Sequence, residues 1–322
     1  MRERNRAYGS PRHTYGGIQM EIKKAAMIGL GAIGSVYGKL LHQAYGDDFA
    51  VIAGGARARR LKKNGMKVNG QPFFPSVAEP GAEFAADLIL VCVKNYQLDQ
   101  AIEDIRGFVG PGTVLLPLLN GVTAKTRLKR AYPENEVLNG LSIYIDAVRT
   151  ESGVVNTKDG VIQFGEDDNA VLSPEVALVR DYLNGAGIKT EVCPDMIRAV
   201  WKKWMMNVGV NQVSAITRSP YGKIASVPST LRLFHEAMME VVALAKASGI
   251  DLSEADAREF EAMMGNFSPE GKTSMLQDVE AKRQTEVDYF AGTVVELGKE
   301  LKVPTPVNHV LFLLLQSIQS LY

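Results

Sequence analysis

Two stretches of this 322-residue chain hold residue types at spacings that could do chemistry. One is Gly29-Leu30-Gly31-Ala32-Ile33-Gly34, a GxGxxG run. Between a strand and a helix, its first glycine permits a tight turn and its second lets the backbone approach a pyrophosphate. The third lets the helix pack closely on the strand, while the helix N-terminus supplies amide donors and a partial positive charge. As a bare pattern it could also be an ordinary βα turn, so the flanking elements decide. The other stretch is 201–211. At 100° per residue, Trp201, Trp204, Met205 and Val208 share an apolar face, and Lys203, Asn207 and Asn211 follow at i, i+4 and i+8 as a narrow polar stripe. The stripe either lines an internal cleft, where each group needs a partner, or is an exposed strip of a peripheral helix. In a cleft, a partly desolvated lysine has a lowered pKa and can protonate a carbonyl oxygen. Asparagines there can orient a small polar substrate without adding charge. Lys202 has Met206 at i+4 and is the weaker candidate.

The elements that must position these residues follow from the hydrophobic pattern. An apolar run at 24–28 leads into the glycine loop, and a helix is expected to Tyr45, closed by Gly46. Further strands are expected at 49–53, 87–93 and 113–119, the last after a Gly110-Pro111-Gly112 turn. Strands alternating with helices imply right-handed βαβ units and a parallel sheet covered on both faces. A site for NAD would end the second strand with an acid. The run from Val51 to Arg60 contains none, and Arg57 is best placed for a 2′-phosphate, which points to NADP(H). Arg59 and Arg60 read as solvated helix surface.

Beyond residue 150 the pattern changes. Val154-Val155 and Val161-Ile162 flank Asp159-Gly160, a hairpin signal. Ser173-Pro174-Glu175 is a helix start. After Val192 the chain reads as helices over 195–215, 230–247 and 254–264, with two more inside 285–322 separated by Pro304 and Pro306. The expected division is a disordered extension over 1–20, a dinucleotide-binding domain over 21–193 and a helical substrate and catalytic domain over 194–322. The fold class is therefore α/β: an N-terminal Rossmann-type parallel-sheet domain followed by an all-helical C-terminal domain.

Composition narrows the function classes. Lys+Arg and Asp+Glu both total 36, so no net charge favours nucleic acid or an anionic membrane. Cys92 and Cys193 form no CxxC and the four histidines no HExxH, so neither a disulfide framework nor a metal centre is expected. No apolar run approaches the ~20 residues of a membrane span. The expected location is the cytoplasm, and the expected partner is a small molecule, with a homodimer allowed.

Taken in order, these residues and several others resemble the ketopantoate reductase (2-dehydropantoate 2-reductase) family over residues from about 21 to about 315. The run from Met27 to Ser35 matches its opening, Val93-Lys94 with Gln97 its strand-end lysine, and Asn120-Gly121 its NG pair. Trp201-Lys202-Lys203 with Asn207 and Asn211 matches the catalytic-lysine helix. Thr273-Ser274-Met275-Leu276-Gln277-Asp278 and Thr285-Glu286-Val287-Asp288 match its SSMLQD and TEID runs.

The resemblance implies NADPH as cofactor, held by residues 29–34, Arg57, Lys94 and Asn120. It implies Lys203 as general acid, assisted by Glu286, and substrate contacts from Asn120, Asn207, Asn211 and Ser274. The implied reaction is reduction of a 2-oxo acid, ketopantoate first, to pantoate in pantothenate and coenzyme A biosynthesis. Gly54 stands where the family often has its 2′-phosphate arginine, and Gly271 and Tyr221 replace asparagines often found near the site. The alternatives are a related 2-oxo or hydroxy-acid dehydrogenase with another substrate and a non-catalytic dinucleotide sensor.

Overall fold

The computed structural model describes residues 12–15, 18–82 and 84–322. The chain forms two compact units, one running to Leu119 and resuming over 123–196, the other comprising Asn120–Val122 and Ile197–Tyr322. The expected boundary at 193/194 thus lies three residues before the observed one, and the NG turn clusters with the second unit.

In the first unit the elements are β1 Arg12–Tyr15, β2 Ile18–Glu21, β3 Ala25–Ile28, α1 Ala32–Tyr45, β4 Phe49–Ile52 and α2 Gly55–Asn64. Next come β5 Met66–Val68, β6 Gln71–Phe73, β7 Ser76–Ala78, β8 Ala86–Val91, α3 Leu98–Asp104 and β9 Val109–Pro117. The unit closes with α4 Ala124–Ala131, β10 Glu136–Val137, β11 Asn139–Thr150, β12 Gly153–Gly165, α5 Pro174–Gly185 and β13 Thr190–Glu191.

The central sheet has six strands in the order β10-β9-β8-β3-β4-β7, every pair parallel. All four residues of β3 are buried. Ala25 and Met27 enter one core with α1 and α5, while Ala26 and Ile28 enter another with α3 and α4. Covering of both faces is why these strands read as continuous apolar runs rather than alternating ones. A second sheet, β11-β12-β5-β6 with β13 beside β12, packs through the α1 side of this core. There the Tyr37 hydroxyl of α1 meets the Ser142 hydroxyl of β11 at 2.6 Å.

Three expectations are corrected. The turn between β11 and β12 falls at 151–152, and Asp159-Gly160 lies inside β12. Its glycine serves a left-handed kink (φ 72°) where a Cβ would stand 2.6 Å from the Ile143 carbonyl oxygen. Gly110-Pro111-Gly112 belongs to β9, where Thr113 Oγ1 accepts from Gly110 N and donates to the Ala86 carbonyl. Of the extension over 1–20, residues 1–11 and 16–17 lie outside the described residues. Arg12–Tyr15 and Ile18–Glu21 pair as antiparallel strands.

The second unit contains α6 Met196–Thr217, α7 Tyr221–Ser226, α8 Pro228–Ala247, α9 Glu254–Met263, α10 Ser274–Glu280, α11 Ala291–Leu301 and α12 Pro306–Ser320. The two shortest helices, α7 and α10, were too brief to show a period in the sequence. Along α6 every residue from Val208 to Ala215 is buried, so it is a core helix on nearly all sides. Its Gln212 ties three neighbours together. The Gln212 amide accepts from Ala291 N at the start of α11 (3.1 Å) and donates to Asn308 Oδ1 of α12 (3.1 Å). Asn308 in turn donates to buried Glu240 of α8 (2.8 Å), which also accepts from the backbone N–H groups of Val307 and Asn308. No described helix is long and apolar enough to cross a membrane.

Candidate active site

The glycine loop follows β3 in the first unit, and each glycine has its own physical reason. Gly29 has φ 99°, and a Cβ there would lie 2.6 Å from the Cys92 carbonyl. At Gly34 a Cβ would lie 2.0 Å from the Gly29 carbonyl oxygen, so α1 and the loop touch backbone to backbone. Around Gly31, in contrast, a Cβ would meet nothing within 4 Å. Its side is open, as a loop approached closely by a ligand requires. Gly31 is also the N-cap of α1, with no side chain capping the first-turn amides. Ala32 and Ile33 are partly buried and open the helix, while the Leu30 side chain is fully buried. The residues present therefore fit a dinucleotide.

Arg57 stands in the first turn of α2, and its Nη2 donates to the Leu30 carbonyl at 2.8 Å. Nη1 of Arg149, from the far end of β11, donates to the same oxygen at 3.2 Å. Burial lowers the Arg57 pKa, and the charges of Arg149 and Arg60 lower it further. Lys94 lies three residues past β8, where its backbone N–H donates to Gln97 Oε1 at 3.2 Å. Burial pushes the nearby Cys92 thiol up to about 12, so it stays neutral.

In the second unit, the Trp204 indole donates to the Tyr289 carbonyl at 3.1 Å and holds α6 against the turn that begins beside Glu286. Gly121, with φ 90°, brings the NG turn within 3.5 Å of that same carbonyl as measured from an added Cβ. Asn120 thereby belongs to the unit that carries Lys203. Glu286 is 4% exposed and lies just before a 3₁₀ turn rather than within a helix. The preceding Thr285 anchors it, its N–H and hydroxyl both donating to Gln319 Oε1 of α12 (3.2 and 3.0 Å).

The two neighbouring lysines part company here. Lys202 ion-pairs with Glu259 at 2.6 Å and Asp256 at 3.1 Å. Burial would lower its pKa, but those carboxylates outweigh burial and raise it. No carboxylate among the described residues comes within ion-pair distance of Lys203. Burial lowers its pKa from 10.5 to about 8, against a smaller upward pull from Glu286. One and two turns along, Asn207 has a buried Nδ2 with no hydrogen-bond partner among the described residues, and Asn211 is 5% exposed. An amine near neutrality, a buried carboxylate and an orphan amide donor can together hold a polar substrate and move a proton to it. Ser274 is different. It lies exposed at the first position of α10, behind its N-cap Thr273, with no hydrogen bond to Lys203 or Glu286.

Sequence reasoning missed Arg149, the Thr285–Gln319 anchor and the Gln212–Asn308–Glu240 network. Gln212 carried a readable signal, an amide on the apolar side of a helix that is apolar nearly all round. Arg149 carried none, because a hairpin distant in sequence delivers it.

The comparisons with known proteins make the chain an oxidoreductase acting on a CH–OH group. The comparisons narrow that class. The family described as "Ketopantoate reductase PanE/ApbA" matches residues 25–169, and "Ketopantoate reductase PanE/ApbA C terminal" matches 195–319. The chain belongs to the ketopantoate reductase family.

A relative named 2-dehydropantoate 2-reductase, from Halobacterium salinarum, is 30% identical over 291 residues, 88% of this chain and 94% of that one. The crystal structure of a PanE/ApbA family ketopantoate reductase from Ralstonia eutropha superposes with a TM-score of 0.80 at 26% identity, covering 92% of this chain and 98% of that one. A D-mandelate dehydrogenase, solved with NADH and anilino(oxo)acetate, shares the fold with a TM-score of 0.83 at 23% identity over 92% of this chain and 98% of that one.

Proposed function

We propose that this protein is an NADPH-dependent reductase of a 2-oxo acid, with 2-dehydropantoate the first substrate to test and pantoate the product. It would act in the cytoplasm in pantothenate and coenzyme A biosynthesis. The observation that carries the reading is Lys203, an amine with a pKa of about 8 on one helix face with the orphaned Asn207 amide and buried Asn211.

Residues 29–34, Arg57, Lys94 and Asn120 would hold the dinucleotide, which when bound supplies a hydride. The chain's own residues supply the rest. Protonated Lys203 donates its Nζ proton to the carbonyl oxygen as negative charge develops there. Asn207 and Asn211 orient the substrate without adding charge that would raise the lysine pKa, and Asn120 and Ser274 complete the polar lining. Glu286 contacts the product hydroxyl and keeps Lys203 from losing its proton altogether, because a nearby negative charge favours the ammonium form. The likeness to a D-mandelate dehydrogenase favours a second reading with the same chemistry on another 2-oxo acid.

The test is nicotinamide oxidation by the purified protein across a panel of 2-oxo acids. The expected result is turnover with ketopantoate and NADPH exceeding that with aryl or straight-chain 2-oxo acids. Turnover confined to another acid would keep the chemistry and replace the substrate. Cofactor binding without turnover on any member would favour a non-catalytic dinucleotide sensor.

A further inference from the structure

We propose that Trp204 is a positioning residue for the candidate proton donor: its indole N–H, seated on the Tyr289 carbonyl, holds the Glu286 turn at a fixed reach from the stretch of α6 that carries Lys203. The catalytic meaning of this contact rests on the proposed role of Lys203; the contact itself does not.

Trp204 follows Lys203 directly on α6 and is fully buried. An indole N–H buried that deeply needs an acceptor. It takes the Tyr289 carbonyl at 3.1 Å, and the Trp201 ring, edge-on at 5.2 Å, fixes the plane of the indole. Tyr289 ends the 3₁₀ turn that Glu286 caps, and its own N–H closes that turn on the Glu286 carbonyl at 3.0 Å. Glu286 and the Tyr289 carbonyl therefore move as one piece. Thr285 pins the start of the piece to Gln319 of α12, and Trp204 pins its end to α6. A Cβ at Gly121 would stand 3.5 Å from the same oxygen, so the turn that bears Asn120 rests on this junction too.

Glu286 is the charged group whose field reaches Lys203, and it favours the ammonium form. The acids of the other helices are engaged elsewhere. Asp256 and Glu259 of α9 pair with Lys202, and Glu261 of α9 meets His235 of α8. Glu240 of α8 accepts from Asn308, and Asp278 of α10 pairs with Arg283. Within the turn itself, Asp288 accepts from Gln316. A displacement of the Glu286 turn is thus felt at Lys203 with no second carboxylate to mask it.

The experiment reads the lysine directly. In the full-length protein labelled with carbon-13 lysine, the Cε resonance of Lys203, assigned by its loss in Lys203→Met, is followed against pH. Wild type should titrate at about 8. Two changes remove the donor: Trp204→Phe, and benzothienylalanine at position 204, which keeps the size of the indole. Both should lower the titration by roughly half a unit to one unit, the scale of weakening one opposite charge. Glu286→Gln should shift it the same way. Adding Trp204→Phe to Glu286→Gln should change little more, because the tryptophan acts through the carboxylate. Phe234→Leu, a core change on α8, should lower the melting temperature and leave the titration in place. The alkaline limb of kcat for 2-oxo acid reduction should follow the resonance in each variant.

An unmoved titration with benzothienylalanine would mean that the indole only packs the helix, and would overturn the inference. So would an upward shift, the sign of water reaching the amine, or full additivity in the double variant. The expected shifts in a protein that turns over no 2-oxo acid would support the contact and remove the proposed function, since the resonance needs no catalysis.

Discussion

Lys202 and Lys203 are adjacent, chemically identical and electrostatically opposite. Lys202 spends its charge on Asp256 and Glu259, whereas Lys203 is desolvated with only Glu286 pulling its pKa upward. Lys203→Ala should lower kcat roughly 10²–10⁴-fold, the usual scale for losing a positioned proton donor. Dinucleotide affinity should survive, since the glycine loop belongs to the other compact unit. Lys202→Ala should cost little catalysis and some stability.

The sign of the pH dependence follows from which form works. On the proposed role of Lys203 as proton donor, reduction needs the ammonium, so kcat for 2-oxo acid reduction should hold below about pH 8 and fall as pH rises through it. That limb should be absent in any residual activity of Lys203→Ala. A lysine whose folded pKa lies below its unfolded one of ~10.4 penalises the fold while charged in both states. The penalty is complete below about pH 8, and stability should recover from there as pH rises toward ~10.4.

At the scale of an element, the loop from β3 into α1 separates what glycine does for packing from what it does for a ligand. Gly34→Ala puts a methyl group against the Gly29 carbonyl oxygen, where no flexible side chain can yield. It should destabilise the first unit by about 1–3 kcal/mol, the range for overpacking, read as a lower melting temperature. Gly31→Val meets open space and should leave melting nearly unchanged while abolishing dinucleotide binding. Retained NADPH affinity in a folded Gly31→Val would remove the loop from the cofactor site.

At the scale of the molecule, a buried polar network organises the helical unit around the candidate site. Glu240 accepts from Val307 N, Asn308 N and Asn308 Nδ2, and Asn308 hands on to Gln212, which grips Ala291. Glu240→Leu would strand those donors, each costing roughly 1–3 kcal/mol if left unsatisfied. Urea denaturation should show a large drop in midpoint. Glu240→Gln, which keeps an acceptor oxygen, should recover part of it. An unchanged midpoint in Glu240→Leu would mean that water satisfies these groups.

Local rules carried much of this protein in its sequence. The glycine spacing, the apolar runs of β3, β4 and β8, the Ser173 cap and the Lys203-Asn207-Asn211 period are all decided within a few residues by backbone sterics and helical geometry. The parallel sheet and the helical second half followed from them. The hairpin turn was misread because Asp159-Gly160 supplies a left-handed residue, and a left-handed residue serves a kink inside a strand as well as a turn.

Tertiary structure alone decided the rest. Whether Lys203 is desolvated depends on what packs over it, not on its neighbours in the chain. Glu286 is an ordinary acid in sequence, and it comes to act on the lysine's charge from a buried position beside a turn that Thr285 ties to Gln319 of α12. Arg149 reaches the glycine loop only because the β11–β12 sheet packs on the α1 side of the core. Burial and charge depend on three-dimensional neighbours, and those neighbours come from long-range packing that no local pattern records.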